Sequence, residues 1–552
     1  MVPPTPPDRS DGLTRLPRLR PAADGAPCPA IVDPDALADR LEDASATRGG
    51  HASLLLRPAD PAKLSAWLSA DPATRVTTQG SRSSLTGGAT PFGGAVVDTS
   101  AWLEFEAPAP NASDPTVRCG AGMRLDDLRA RLAELGWDYP PVPTYAQATV
   151  GGVVSTNAAG PSTFKYGQTR GWVRALELLL ADGRRLEIAR GEECVPAGGH
   201  WTVAGERGAG VLDVPHPGFS TPSMKKISAG IFSSDPLDPI DLFVGSEGTL
   251  AVVTAATLAV VPRPAGVFAA LLFAPNADAV FAASTALRRA AAEARRSSTS
   301  PTCADLRAVE FIDGHGLRVL REDAPPPTGR LPIPDGAGAA LTLEIEWTGD
   351  LADAEQALVD ALEGRGDRAL AGCFSACGSV LDVDSAIVAL PGDEETADAI
   401  RAFREAVPLC VNERARRRPS GEPGEKRAAD PAVPPNGLPG FYAFVEYAFA
   451  SRGVPFAVWG HCSDGNLHPN AMPRSDDEDR RAGEAIDALS AEAVRLGGTP
   501  LAEHGVGRHP SKQRWLADFL GTDALDGMRR VKRALDPAGR LSPGVLWPEH
   551  AP

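Results

Sequence analysis

Gln79-Gly80-Ser81-Arg82-Ser83-Ser84-Leu85-Thr86-Gly87-Gly88 decides the fold. It follows Val76–Thr78, a β-branched run with strand character. Its small residues let backbone N–H groups converge on an anion, and the serine and threonine hydroxyls add donors. No Gly-Lys-Ser/Thr closes it and it is not GxGxxG, so neither a nucleotide-triphosphate loop nor a nicotinamide fingerprint is present. A Gly/Ser-rich surface turn would read the same way in isolation. Two further small-residue segments occur downstream, Ala148-Thr149-Val150-Gly151-Gly152-Val153-Val154-Ser155-Thr156-Asn157-Ala158-Ala159-Gly160 and Leu242-Phe243-Val244-Gly245-Ser246-Glu247-Gly248-Thr249-Leu250. Each alone is a weak sign of backbone brought close to a ligand; three in one domain, in this order, are a strong one.

Around these segments the texture is mixed. Leu54–Leu56, Ala95–Asp98 and Val117–Cys119 read as strands, and Pro61–Ala70 and Leu125–Leu135 have helical spacing. Val173–Leu180, Asp182-Gly183 and Arg185–Ala189 read as a hairpin. Pro262-Arg263-Pro264 breaks the pattern. Beyond it, helices are expected near Ala277–Arg295, Asp350–Gly364, Asp393–Ala406 and Asp479–Leu496, and strands at Leu341–Trp347 and Pro455–Trp459. Residues 1–42 form a Pro/Arg-rich extension without the apolar core of a signal peptide, and 417–440 read as a polar loop, either a lid or a solvated insertion.

The chain has 552 residues and a net charge of −16, which argues against nucleic-acid binding through a basic surface. Its 56 glycines and 52 prolines exclude a coiled coil and imply many turns. No apolar run reaches the ~20 residues a spanning helix needs. Eight scattered cysteines read as free thiols, and the expected location is the cytoplasm, with peripheral membrane association left open.

A second constellation is Trp459-Gly460-His461-Cys462-Ser463-Asp464-Gly465-Asn466-Leu467-His468-Pro469-Asn470. Asp464-Gly465 is a preferred two-residue hairpin turn. Such a turn pairs His461 with His468 across the strands, Cβ atoms about 4.5–5.5 Å apart, with Asn470 on the same face. Two imidazoles so placed can share a metal, although a structural pair would give the same pattern. Leu501-Ala502-Glu503-His504-Gly505-Val506-Gly507-Arg508 follows. Glu503 would complete two histidines and a carboxylate, a recurrent catalytic zinc set, leaving His504 as a proton acceptor. An exposed loop pair is the alternative.

The order and spacing of Asp43-Ala44-Ser45, Arg57-Pro58, the Gly80 loop, Thr149-Val150-Gly151-Gly152, Tyr166-Gly167 and Gly245-Ser246-Glu247-Gly248-Thr249-Leu250 resembles the FAD-linked oxidases of the vanillyl-alcohol oxidase / p-cresol methylhydroxylase superfamily, which include D-lactate, glycolate and D-2-hydroxyglutarate dehydrogenases. The resemblance implies an α+β fold: a PCMH-type FAD-binding domain over residues 43–264, an FAD-linked oxidase C-terminal domain over 265–547, and the flavin ring where the two meet. It implies that Gly80, Ser81, Arg82, Ser83, Ser84 and Leu85, with Gly151 and Gly152, hold the FAD pyrophosphate, that Thr149, Ser155, Asn157 and Gly160 also bind the cofactor, and that Glu247, Gly248 and Val252 contact the rest of the dinucleotide. It implies a divalent metal, zinc or manganese, on His461, His468 and Glu503, with His504 as base and Arg404, Lys426 and Asn470 on the substrate side. Ser463 replaces the usual glycine, Pro431 is unusual, and the terminal Asn-Pro-Gly reads Ser542-Pro543-Gly544. No histidine or cysteine lies between Gln79 and Gly88, which excludes covalent flavin attachment there.

The expected reaction is oxidation of a 2-hydroxy acid, D-lactate-like, to the 2-oxo acid. Electrons would pass to a separate acceptor: a quinone, a cytochrome, an electron-transfer flavoprotein, an Fe–S subunit or oxygen. A second copy of the chain is a further expected partner. The alternatives are a flavin-binding subunit of a larger complex, a flavin oxidase of another alcohol, and alkylglycerone-phosphate synthase chemistry. The lack of a multi-histidine run near Glu503 argues against the last.

Overall fold

The computed structural model describes residues 17–109, 112–206, 208–296, 302–323, 331–378, 381, 385–419 and 424–549. The chain divides into two compact units. One comprises Met1–Gly160, Tyr166–Arg263 and Glu503–Pro552; the other comprises Pro161–Lys165 and Pro264–Ala502.

The first unit holds two principal sheets. In the smaller, ordered Ala30–Ile31, Leu54–Leu56, Ala95–Asp98, Val76–Gln79, the last three strands are parallel. Helix Pro61–Ala70 joins two of them. Asp60 starts it by accepting from Lys63 N at 3.0 Å, Pro61 suits the first turn, and Leu64 and Leu68 are buried. The Gly80 loop therefore leaves the carboxyl end of a parallel strand, where open sheets of this kind bind ligands. The larger sheet is antiparallel, in the order Arg18–Arg20, Arg185–Ala189, Val173–Leu179, Val252–Ala259, Thr116–Gly120, Phe105–Glu106. The Asp182-Gly183 hairpin is present, with Arg185 opposite Leu179.

The unit boundaries differ from those read in the sequence. Of residues 1–42, the first 16 lie outside the described residues, but Arg18–Arg20 is an edge strand of the larger sheet, so the extension is built into the fold from that point. Residues 503–552 belong to the first unit. Ser542 N donates to Val76 O and Val76 N to Arg540 O, both at 2.8 Å. The Arg540 guanidinium reaches four carbonyls, those of Leu68, Asp71, Thr74 and Ala181. These carbonyls end loops and helices, and a charged fork satisfies them at once; no local sequence pattern announces that.

The second unit is built on a seven-stranded antiparallel sheet: Ile387–Ala389, Gly266–Ala274, Ala339–Trp347, Ala304–Asp313, Phe456–His461, Asn466–Ala471, Arg427–Ala428. Helix Glu394–Arg416 was expected to stop at Ala406 but continues through Pro408. The proline forfeits one backbone hydrogen bond. Burial of Phe403, Val407, Cys410 and Val411 in a core with Phe273, Ile312 and Trp459 outweighs that loss. The segment read as a 417–440 loop supplies the edge strand Arg427–Ala428, paired with Asn470 and Ala471; residues 420–423 of it lie outside the described residues. The mixed α+β class is as expected. All eight cysteines are unpaired. Among the described residues no helix is long and apolar enough to cross a membrane.

Candidate functional site

In the first unit the three small-residue segments converge. They line a solvent-open cleft of about 1420 Å³ whose wall includes Gly80, Ser81, Arg82, Ser83, Ser84 and Leu85, then Thr149, Gly151, Gly152 and Ser155, then Glu247, Gly248 and Val252. Asn157 and Gly160 stand outside this wall. Asn157 accepts from Arg170 N at 2.9 Å and donates to Ile227 O at 3.2 Å, so its side chain ties two other segments together.

The segments that wall the cleft pack closely on one another. A Cβ on Gly80 would overlap Thr149 Oγ1, and one on Gly151 would stand 2.8 Å from Ala121 Cβ, so only glycine lets these segments approach. Thr149 starts helix Val150–Thr156 by accepting from Gly152 N. Ser84 Oγ accepts from Gly88 N at 3.0 Å and shapes the loop. Arg82 (φ 56°), Glu247 (φ 54°) and His504 (φ 64°) all adopt the left-handed backbone that ordinary residues avoid. Such conformations persist where surrounding structure enforces them, and they collect at functional sites.

Glu503 and His504 share this cleft. The His504 imidazole is partly exposed, its Nε2 lying 3.7 Å from Glu503 Oε2. Glu503 is buried, and Oε1 is 2.5 Å from the Nζ of Lys226, a lysine with no exposed side-chain surface. Sequence reading missed Lys226, since Lys225-Lys226 has the look of a solvated pair. Glu247, expected on the cofactor, turns its carboxylate to the His504 loop instead: Oε1 accepts from Val506 N at 2.7 Å and Oε2 from Gly507 N at 2.8 Å. Burial pushes its pKa up to about 7, against the pull of those two amides and of Lys512.

In the second unit His461 and His468 lie on one face of the hairpin, ring centroids 5.2 Å apart and planes perpendicular. The register differs from the two-residue turn read in the sequence: His461 pairs with Asn466 and Trp459 with His468. Cys462–Gly465 forms the connection. The shift is by two residues, so the alternation of faces is preserved and the histidines still meet, diagonally. Each offers Nδ1 to a carboxylate: His461 to Glu310 Oε1 at 2.5 Å, His468 to Asp430 Oδ1 at 3.4 Å. Carboxylate–histidine pairing fixes tautomer and ring orientation in metal sites. Asn470 donates to His468 O at 2.7 Å, while its buried Oδ1 has no hydrogen-bond partner among the described residues.

Arg404, expected to face the substrate, is buried with Nη2 and Nε 2.8 and 3.0 Å from Glu310 Oε2. It therefore steadies the carboxylate that orients His461. Lys426 stands with Nζ 5.4 Å from the centre of the Trp459 ring, and desolvation lowers its pKa to about 8. Glu310 was not foreseen. A charged residue inside the otherwise apolar Val309-Glu310-Phe311-Ile312 was the available signal, because an unpaired carboxylate there would be costly.

Comparison with known proteins agrees with this architecture. Residues 52–189 match the family model described as FAD binding domain, and residues 273–546 match that of FAD linked oxidases, C-terminal domain. The chain is 27% identical to the glycolate oxidase subunit GlcD of Bacillus subtilis, covering 86% of this chain and 84% of that protein. It is 26% identical to a D-lactate dehydrogenase of Anaerostipes hadrus, covering 85% and 84%. It is likewise 26% identical to the mitochondrial D-2-hydroxyglutarate dehydrogenase of Bos taurus, covering 98% and 84%. Among solved structures, an alkyldihydroxyacetonephosphate synthase superposes with a TM-score of 0.57 at 13% identity, over 93% of this chain and 82% of that one, a likeness of fold alone. With both family models matched in order along the chain, this protein is an FAD-dependent oxidoreductase belonging to the FAD-linked oxidase family.

Proposed function

We propose that the protein oxidises a 2-hydroxy acid, D-lactate or a close analogue, to the 2-oxo acid. The observation that carries this is His504: a partly exposed imidazole in the wall of the flavin cleft, on a backbone held in the left-handed region. The relatives named above take their names from the oxidation of 2-hydroxy acids. Bound FAD supplies the hydride acceptor for the substrate Cα–H, and a divalent ion, zinc or manganese, supplies charge that favours the alkoxide. The chain does the rest. His504 takes the hydroxyl proton. Lys426 and Asn470 orient the substrate, and Arg404 acts through Glu310 on His461.

The proposed ion ligands are His461, His468 and Glu503. Support comes from the carboxylate behind each histidine, from the orphaned amide oxygen of Asn470, and from the course of the chain. Ala502 N donates to Asp430 O at 3.0 Å, and Asp430 is the partner of His468. Glu503 is the next residue, its Cα about 3.8 Å further along.

The deciding measurement is anaerobic flavin bleaching of metal-replete protein by a panel of D- and L-2-hydroxy acids. A D-acid is expected to bleach it within seconds. Failure of every acid removes the dehydrogenase reading while leaving the flavoprotein intact.

Two further outcomes follow. FAD is expected to be non-covalent, so acid precipitation leaves the flavin in the supernatant; a yellow pellet contradicts this. Lys426 carries its charge below about pH 8 and loses it above. Affinity for the carboxylate substrate should therefore fall as pH rises through 8, seen as declining kcat/KM. In Lys426→Met that alkaline limb should vanish and KM should rise about ten- to hundredfold, the scale of a hydrogen bond to a charged group.

A further inference from the structure

The loop Glu503–Arg508 is in a conformation that it would not hold by itself. His504, Gly505 and Gly507 have φ of 64°, 71° and 57°, and the histidine has no glycine-like freedom. Its backbone polar groups are claimed by side chains from three other segments. Lys512 Nζ donates to Glu503 O at 3.3 Å and to Gly505 O at 3.1 Å. Thr86 Oγ1 donates to His504 O at 3.2 Å, and Gln513 Nε2 to Gly507 O at 3.0 Å. The two carboxylate oxygens of Glu247 take the consecutive amides of Val506 and Gly507. Glu247 and Lys512 are both buried and divide the loop between them, the carboxyl oxygens on its donors and the amine on its acceptors.

We propose that Glu247 is a positioning residue for His504: its carboxylate, assisted by Lys512, splints the Glu503–Arg508 loop so that the imidazole is presented to the flavin cleft. This rests on the reading of His504 as the proton acceptor. It departs from the expectation that the Gly245–Gly248 turn uses its glutamate on the dinucleotide, because both carboxylate oxygens are engaged by the loop. Gly88 of the flavin loop lies close by, a Cβ there falling 3.7 Å from Glu247 Oε2. The same carboxylate thus stands between the cofactor cradle and the loop that carries the proton acceptor.

Glu247→Gln is the informative variant. It keeps size and shape but places an NH₂ donor against one of two amide donors. In the FAD-loaded protein, hydrogen exchange at the Val506 and Gly507 amides should accelerate at least tenfold, since local opening sets that rate. Flavin absorbance should persist. With the 2-hydroxy acid that bleaches wild type fastest, the limiting rate of flavin reduction should fall at least tenfold while half-saturation stays within twofold. A variant that damaged only stability would not divide rate from affinity in this way. Unchanged exchange at the two amides overturns the proposal, as does a reduction rate within twofold of wild type. Loss of flavin with faster exchange assigns the carboxylate to the cofactor and overturns it too. Should Glu247→Gln fail to fold, Lys512→Met poses the same question from the carbonyl side, with the same outcomes. The exchange result does not depend on His504 being the base, so failure of that reading shows separately, as normal flavin reduction in a His504 variant.

Discussion

His468→Ala is expected to keep FAD and lose the divalent ion, with turnover falling by about 10²–10³-fold, the scale on which one charge-stabilising group acts. The cleft proposed for FAD is walled wholly by first-unit residues, whereas His468 lies in the second-unit sheet on strand Asn466–Ala471. Alanine leaves the strand's backbone pairing intact, so the sheet survives. The cost to folding is the vacated ring and an Asp430 carboxylate without its imidazole, about 1–3 kcal/mol. For a unit of this size that is a melting midpoint lower by several degrees. Elemental analysis of the purified variant, its flavin absorbance and its turnover check the three parts separately. Wild-type protein free of any divalent ion, and fully active in a strong chelator, would sink the metal reading.

His504→Ala should keep both flavin and metal and slow flavin reduction about 10²–10⁴-fold, the usual contribution of a positioned proton acceptor. Alanine, however, tolerates the φ of 64° poorly, so part of any loss could reflect a relaxed loop. His504→Asn separates the two effects. Asparagine accepts the left-handed backbone more readily than most residues, and it holds no proton acceptor of comparable strength. Both variants should be equally slow, and added imidazole should partly restore reduction in His504→Ala. Normal reduction in either variant removes the base assignment and leaves the ligand set standing.

That the three small-residue segments meet in one cleft was legible in the chain because the cleft is built from backbone. Segments that must approach a ligand or one another need Gly80, Gly151 and Gly152, and that requirement is written in composition. The histidine pair was legible for a different reason. The strand alternation survives a two-residue error in register, so His461 and His468 shared a face under either turn. Glu310 and Asp430 were not legible. Each meets its histidine through sheet pairing or a crossing segment, at separations of 151 and 38 residues, and no local period encodes that. Glu247 was legible as a site residue, but the direction of its side chain was not. Proline misled at position 408, where buried Phe403, Val407 and Val411 override a local breaker.

The chain crosses between the units at Gly160, Lys165, Arg263 and Ala502, and this has a consequence for biogenesis. Strand Val76–Gln79, which launches the flavin loop, receives its last backbone partners from Arg540 and Ser542, more than 460 residues later. During synthesis the first unit therefore keeps the start of that strand without these partners until residues 540–542 have left the ribosome. The later-encoded unit, continuous from Pro264 to Ala502 and needing only the already synthesised Pro161–Lys165, is complete before them. The order of maturation is the reverse of the order of translation. The waiting strand is the species that chaperones would meet, as expected for large proteins of long-range topology. Removing the chain from Arg540 onward should thus lower the yield of folded flavoprotein, although those residues lie far in sequence from the Gly80 loop.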